Sequence, residues 1–501
     1  MDVLHNLLSG FSLILQPDNL FFCFIGVFIG TLIGVLPGIG PVGAMSLLLP
    51  ATYKVSPLAS VIMLAGIYYG ASYGGSTTSI LVNIPGESAS VVTCLDGYQM
   101  ARQGRAGAAL GISAFGSFIA GTVGVIFLMF LAGPLSTVAL RFGPPEYVAL
   151  MVLGLTIVTY LSHGSLIKAL IMALFGIGLS QIGTDLITGH LRFTFGVMEL
   201  EDGVRLVPLV MGLFGIGEVL ASMEESGEVD VLKAKIKGLL PNWKDWKDSI
   251  GAIFRGTFLG FFLGILPGGG AVLASFLAYG VEKKISKHPE KFGTGVIEGV
   301  AAPEAGNNSA TAGAFIPLFT LGIPSNAVMA LLLGALMIHG LQPGPMLLRQ
   351  HPEVFWGAVV SMYIGNAMLL VLNLPLIGLW VKVLKIPPRI LFPFIFFFCI
   401  IGSYSDRSSI FDVCVMLTFG LIGYLFRKFK YEAAPLILAF ILTPMLENAL
   451  RQSLIISEGS FSIFFRRPIA AVALIIALIL LLSSFLPHLR KKREVIVELE
   501  E

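Results

Sequence analysis

GVFIGTLIGVLPGIG at residues 26–40 returns as GTFLGFFLGILPGGG at residues 256–270. Eight of the fifteen aligned positions are identical: Gly26, Phe28, Gly30, Gly34, Leu36, Pro37, Gly38 and Gly40 each recur 230 residues later. The chain therefore reads as two related halves, each opening with an apolar helix that a Leu-Pro-Gly-x-Gly turn interrupts. Proline removes a backbone donor, and glycine removes the penalty for leaving helical dihedrals. The interruption is written into both copies.

Composition supplies the setting. Of 501 residues, 55% are hydrophobic and 12% charged, against about 25% charged in ordinary soluble proteins. Residues 106–140, 308–348, 354–381 and 468–487 contain no Asp, Glu, Lys or Arg. A bilayer crossing needs about 20 predominantly apolar residues, and these runs are long enough. The expected fold is an all-α polytopic membrane protein of about 10–12 transmembrane helices, with broken or re-entrant hairpins in two repeats. No basic domain argues for nucleic acid. The cysteines Cys23, Cys94, Cys399 and Cys414 form no CxxC pair, and buried small hydrophobes are the expected role. The N-terminus lacks the basic region of a cleavable signal peptide, so the first span is expected to be retained.

Lys and Arg accumulate in cytoplasmic loops. Arg102 and Arg105, the lysines of 223–248, EKKISKHPEK at 282–291, Lys382, Lys385 and Arg389, RKFK at 427–430 and RKKR at 490–493 all read as inside, which places the C-terminus in the cytoplasm. The second broken hairpin (250–281) then has both ends inside. The first (20–50), flanked by Lys54 alone, has its ends outside. One motif in two orientations predicts inverted-topology repeats: 1–222 as the first, 223–248 as a cytoplasmic linker, 249–466 as the second, and 467–501 as a final helix and tail. Four crossings are expected at 107–133, 146–161, 165–181 and 204–222, and five more at 354–381, 389–402, 410–426, 433–447 and 468–487.

Each hairpin leads into a second unusual segment, YYGASYGGSTTSILVNIPGES at 68–88 and IEGVAAPEAGNNSATAGAFIPLFTLGIPSN at 297–326. Freed backbone groups survive at membrane depth only where protein or a watery cavity satisfies them. Half-helix N-termini attract anions, and C-terminal carbonyls attract cations. Broken helices at corresponding places in two halves are thus the pointer to a transport site. Gly38, Gly40, Gly268 and Gly270 would let backbone approach an anionic solute. Ser76, Thr77, Thr78, Asn83, Asn307 and Asn308 would offer neutral hydrogen bonds, as would Ser309. For Gly26, Gly30 and Gly34, close helix packing is the expected role.

Glu304 is the candidate for ion coupling, because an ionisable group at membrane depth is costly to keep. It precedes Asn307 and Asn308 by three and four residues, one helical face, and carboxylate with amide oxygens suits Na⁺ or proton carriage. A Na⁺ at Glu304 and Asn307 is the only metal expected. Glu298 is read as a surface carboxylate pairing with a lysine such as Lys291. No Ser-His-Asp order, HExxH or P-loop occurs, so neither an enzyme nor an ATP-driven pump is expected and no cofactor is called for.

These segments resemble the large membrane subunit of tripartite tricarboxylate transporters. The resemblance rests on GVLPGIGP (34–41), YGGSTTSILVNIPGE (73–87), GILPGGGAVLASFLAYGVEKKISK (264–287), GVIEGVAAPEAGNNSATAGAFIPLFTLGIP (295–324) and GALMIHGLQPGP (334–345). The chain departs from the usual pattern at Gly306, where alanine is usual, and at Ser325, where the pattern has glycine. The resemblance implies a secondary transporter of the bacterial inner membrane. It would work with a smaller membrane subunit of about four helices and a periplasmic solute-binding protein, importing a carboxylate with Na⁺ or H⁺. The second reading is a channel-like or scaffold subunit without ion coupling.

Overall fold

The glycines of the repeated motif decide how the helices assemble. A computed structural model describes residues 3–36, 40–161, 165–185, 188–225, 238–268, 270–384, 386 and 388–483. The first half contains α1 (Val3–Ile14), α2 (Pro17–Val35), α3 (Gly40–Thr52), α4 (Pro57–Val82), α5 (Val91–Arg102), α6 (Ala106–Ala139), α7 (Pro144–Leu161) and α8 (Leu166–Ser180). A small antiparallel pairing of Gly183–Thr184 with Leu191–Arg192 follows. Then α9 (Leu206–Val210) and α10 (Gly217–Glu225) enclose a π-helical turn at Met211–Ile216.

The second half opens with α11 (Trp243–Ile265), α12 (Gly270–Ile285), α13 (Glu298–Leu321) and α14 (Ala327–Ile338). It continues through α15 (Leu347–Gln350), α16 (Pro352–Asn373), α17 (Ile377–Val383), α18 (Pro388–Arg407), α19 (Ile410–Lys428), α20 (Ala434–Ile456), α21 (Ile463–Arg466) and α22 (Pro468–Ser483). The protein is all-α and polytopic. Among the described residues, seven helices are long and apolar enough to cross a membrane, and seven shorter apolar helices run 10–17 residues.

In the first half, α2 lies directly on α4. A Cβ added at Gly26, Gly30 or Gly34 would strike the carbonyl oxygen of Met63, Ile67 or Ala71 respectively. The second half repeats the seam: Gly256, Gly260 and Gly264 face the carbonyls of Ala302, Gly306 and Ala310 on α13. Packing is thus the role these glycines serve, and small residues are what let two backbones approach this closely. Residue numbers rise together along both seams, so α2 is parallel to α4 and α11 to α13. The supporting helices α4 and α13 are buried along nearly their whole length.

The same seams align α4 with α13 at a spacing of 239 residues. The alignment extends to the ends: Asn83 and Gly322 both close their helices in the left-handed region, at φ 61° and 72°. Ile84-Pro85 and Ile323-Pro324 follow. Where α4 and α13 meet, they run in opposite directions, with Ser76 against Glu304 and Tyr68 against Phe315. The left-handed residue of the second turn is Gly322, and Ser325 has no positive φ. Glycine's freedom is therefore not required at 325; Ser325 instead accepts the Gly268 N–H on its carbonyl at 2.8 Å.

Several expected boundaries shift. The uncharged run 354–381 is not one helix: α16 ends at Asn373, and the Trp380 Nε1–H of α17 folds back onto the Leu372 carbonyl at 2.8 Å. The span expected at 433–447 continues to Ile456. Several loops are tied together: Arg105 pairs with Asp245 at 2.5 Å, Gln103 donates to the Thr294 carbonyl at 2.6 Å, and Lys168 donates to the Phe429 carbonyl at 2.6 Å. Lys385, residues 226–237 of the linker and the RKKR tail lie outside the described residues.

Candidate functional site

Glu304 sits two turns into α13 with no solvent exposure. Its carboxyl group collects hydroxyl donors from three other helices. Ser76 of α4 donates to Oε2 at 2.5 Å, Ser117 of α6 to the same oxygen at 3.5 Å, and Thr93 of α5 to Oε1. Of these helices, α4 and α6 are rich in small residues around their contributing serines. Among the described residues, no Lys or Arg pairs with Glu304. Hydroxyls can donate to a carboxylate, or turn their lone pairs toward a cation or a protonated acid.

Asn307 and Asn308 diverge from there. Asn308 Nδ2 donates to Ser117 Oγ at 2.7 Å and to the Glu304 carbonyl at 3.0 Å, joining the Glu304 cluster. Asn307 turns to the first half, where its Nδ2 donates to Glu87 Oε1 at 2.8 Å. The side-chain oxygens of both residues are buried and receive no donor. Buried acceptors are rarely left so, and each such exception needs a reason. On the far side of Asn308, a cavity is lined by Tyr69, Thr311, Phe315, Met362 and Asn366. Tyr73 donates to Asn366 Oδ1 at 2.8 Å beside it.

The remaining predicted residues separate by position. Ser76 contacts Glu304 directly. Thr77 is buried on α4, and Thr78 donates to the Val35 carbonyl at 2.7 Å, tying α4 to the broken end of α2. Ser309 likewise donates to the Thr257 carbonyl at 2.7 Å. Asn83 is exposed and serves as the left-handed cap of α4. Gly40 (φ 63°), Gly268 (φ 103°) and Gly270 (φ 36°) all hold conformations that side chains resist. An added Cβ at Gly40 would meet open space, and one at Gly270 would meet the Asn326 amide at 3.5 Å. Gly38 lies outside the described residues. Glu298 heads α13 half-buried among Asp96, Asp248 and Glu282, and no ion pair to Lys291 forms.

Five contributors were not singled out from sequence. Thr93 and Ser117 complete the Glu304 cage, and Glu87 and Asn326 are the N-caps that follow each break. Asp96, with no exposure, accepts from the Gly293, Gly295 and Val296 amides at 2.7–3.0 Å and from Tyr279 at 2.9 Å, clamping the entrance to α13. Only Glu87 carried a signal, as the acid ending the IPGE turn. Among the described residues, no cluster of three His, Cys, Asp or Glu could hold a metal ion. The donors present are all oxygen, the kind that hard cations take.

Residues 20–438 match the family model described as the tripartite tricarboxylate transporter TctA family. The chain is 50% identical over 494 residues to an uncharacterized 52.8 kDa protein in the TAR-I ttuC' 3' region of Agrobacterium vitis, covering 99% of this chain and 98% of that one. It is 51% identical over 235 residues to an uncharacterized protein in the TAR-II ttuC' 3' region of the same organism, covering 47% of this chain and 97% of that one. No solved structure matches.

Proposed function

The chain belongs to the TctA family of tripartite tricarboxylate transporters, and on that premise we propose that it imports a carboxylate coupled to a Na⁺ or H⁺ gradient. The observation that carries this reading is Glu304: an unexposed carboxyl group of the second half, without a basic partner among the described residues, held by hydroxyls that all come from the first half of the chain. A carboxylate is expensive to bury unpaired, so such a group is kept for binding a cation or a proton. With the cation bound, the cluster is neutral and can change its exposure at lower cost. Without it, the charge resists that change.

The solute carboxylates would sit at the broken-helix turns, where Gly40, Gly268 and Gly270 leave room for backbone amides, with Asn308 at the cavity nearby. The two halves act as inverted repeats, residues 1–222 and 249–466 with the linker 223–248 between them and the helix and tail 467–501 after them. Support comes from the parallel glycine seams and from the opposed directions of α4 and α13. The protein works in a bacterial inner membrane beside a small membrane subunit of about four helices, and a periplasmic solute-binding protein feeds it.

The test is uptake of labelled carboxylate into proteoliposomes that hold all three subunits. Accumulation above equilibrium is expected when an inward Na⁺ or proton gradient is imposed. Uptake that only equilibrates and ignores both gradients overturns the coupled reading in favour of a passive pore.

A further inference from the structure

Glu87 is the acidic group that coupling through Glu304 leaves unused. It caps the turn at Ser88–Ser90 that restarts the chain after the first break. Its Oε1 accepts the Asn307 amide at 2.8 Å. Asn307 is 1% exposed, and its own Oδ1 has no donor. That oxygen is the other end of the amide whose Nδ2 meets Glu87, and a half-turn of the amide would bring it to the carboxylate. Asn308 Oδ1, one residue on, is also buried without a donor.

Charge balance makes the same point. Glu87 and Glu304 lie close enough to repel when both are ionised. Among the described residues, no Lys or Arg pairs with either. A carboxylate solute entering this region would add further negative charge in a low-dielectric setting. One cation at Glu304 leaves Glu87 and the solute uncompensated. The donors are all oxygen, as alkali cations require.

We propose that Glu87 and Asn307 form a second Na⁺ site, so that two cations accompany each solute. The inference rests on the coupled-import reading and names its stoichiometry and ligands. The two sites differ in origin: the Glu304 carboxylate comes from the second half, and the Glu87 carboxylate from the first.

Rates of labelled carboxylate uptake by the reconstituted three-subunit complex would be measured against external Na⁺, with choline as replacement and pH fixed. The wild type is expected to give a sigmoid with a Hill coefficient of about 2, and Glu87→Gln one of about 1 with a raised half-saturating Na⁺. Asn307→Asp adds a charge at the same place and is expected to lower the half-saturating Na⁺. An unchanged Na⁺ curve in Glu87→Gln overturns the second site and leaves coupling through Glu304 standing. If that variant fails to assemble, unaltered Na⁺ affinity in Asn307→Asp overturns it instead. Wild-type uptake indifferent to Na⁺ but driven by protons also overturns the second site. Indifference to both gradients is the separate failure of the coupled reading.

Discussion

The residues after the two breaks occupy equivalent places and make equivalent bonds with different chemistry. Glu87 follows Ile84-Pro85 and receives the amide of Asn307 from the opposite half. Asn326 follows Ile323-Pro324 and gives its own amide to the hydroxyl of Tyr68, at 3.0 Å, again in the opposite half. Tyr68 and Asn307 are themselves equivalent at the spacing of 239 that the seams define. Each half thus reaches across with its cap to the other half's buried helix. One crossing carries a carboxylate and the other is neutral, and Glu304 has Ala65 as its counterpart. A repeated backbone supplies two similar frames, and substitution within them leaves a carboxylate at one crossing and a neutral pair at the other.

That comparison breaks first at Glu304. Glu304→Gln should reduce gradient-driven uptake to background while membrane insertion stays normal, and Ala65→Gln should not reproduce that loss of coupling. Wild-type transport by Glu304→Gln removes the asymmetry. Next come the crossings themselves: Asn307→Ala should abolish uptake, whereas Asn326→Ala should cost about 1 kcal/mol of stability through its lost cap and leave Na⁺ dependence in place. Thermal unfolding in detergent and uptake curves on the same preparations separate the two effects.

The seams offer a test of symmetry. Gly34→Ala and Gly264→Ala should each destabilise by about 1–3 kcal/mol, the range for forcing atoms into a closed contact, and by similar amounts. A large difference in melting temperature between them would show that the two seams are not equivalent. The smallest expected effect is Ser325→Gly, a loss of about 0.5–1 kcal/mol with the buried hydroxyl's bond to the Ala314 carbonyl, because that position has no left-handed backbone for glycine to relieve. A strong gain in stability would contradict the geometry of the second turn.

Much of the fold was legible because its causes are local. Pro37 and the glycines around it mark the break, and a four-residue glycine spacing marks a seam, without reference to anything distant. The site was only partly legible. Glu304 stood out as an acid in an apolar stretch, and Ser76 lay in a segment rich in hydroxyls. Thr93 and Ser117 looked like any hydroxyl residue in a helix, since nothing in their own neighbourhood shows that α5 and α6 will bring them to α13. Asp96 was hidden for the opposite reason: it sits in an ordinary polar helix, and its amide partners lie about 200 residues later. Asn83 has a second reading that its sequence does not separate from a site, because an amide in a turn can be there for its backbone preference alone.

The glycine seams also bear on stiffness. Side chains between two helices leave rotamer play, and a push on one helix is partly absorbed before it reaches the other. Along α2 and α4, and again along α11 and α13, main chain rests on main chain with no side chain between. Each broken hairpin is therefore strapped to its supporting helix as a single lever. The compliant places are the side-chain bonds that cross from lever to lever: Ser76 to Glu304, Asn307 to Glu87 and Asn326 to Tyr68. An ion or solute that alters those few bonds acts where the assembly yields most.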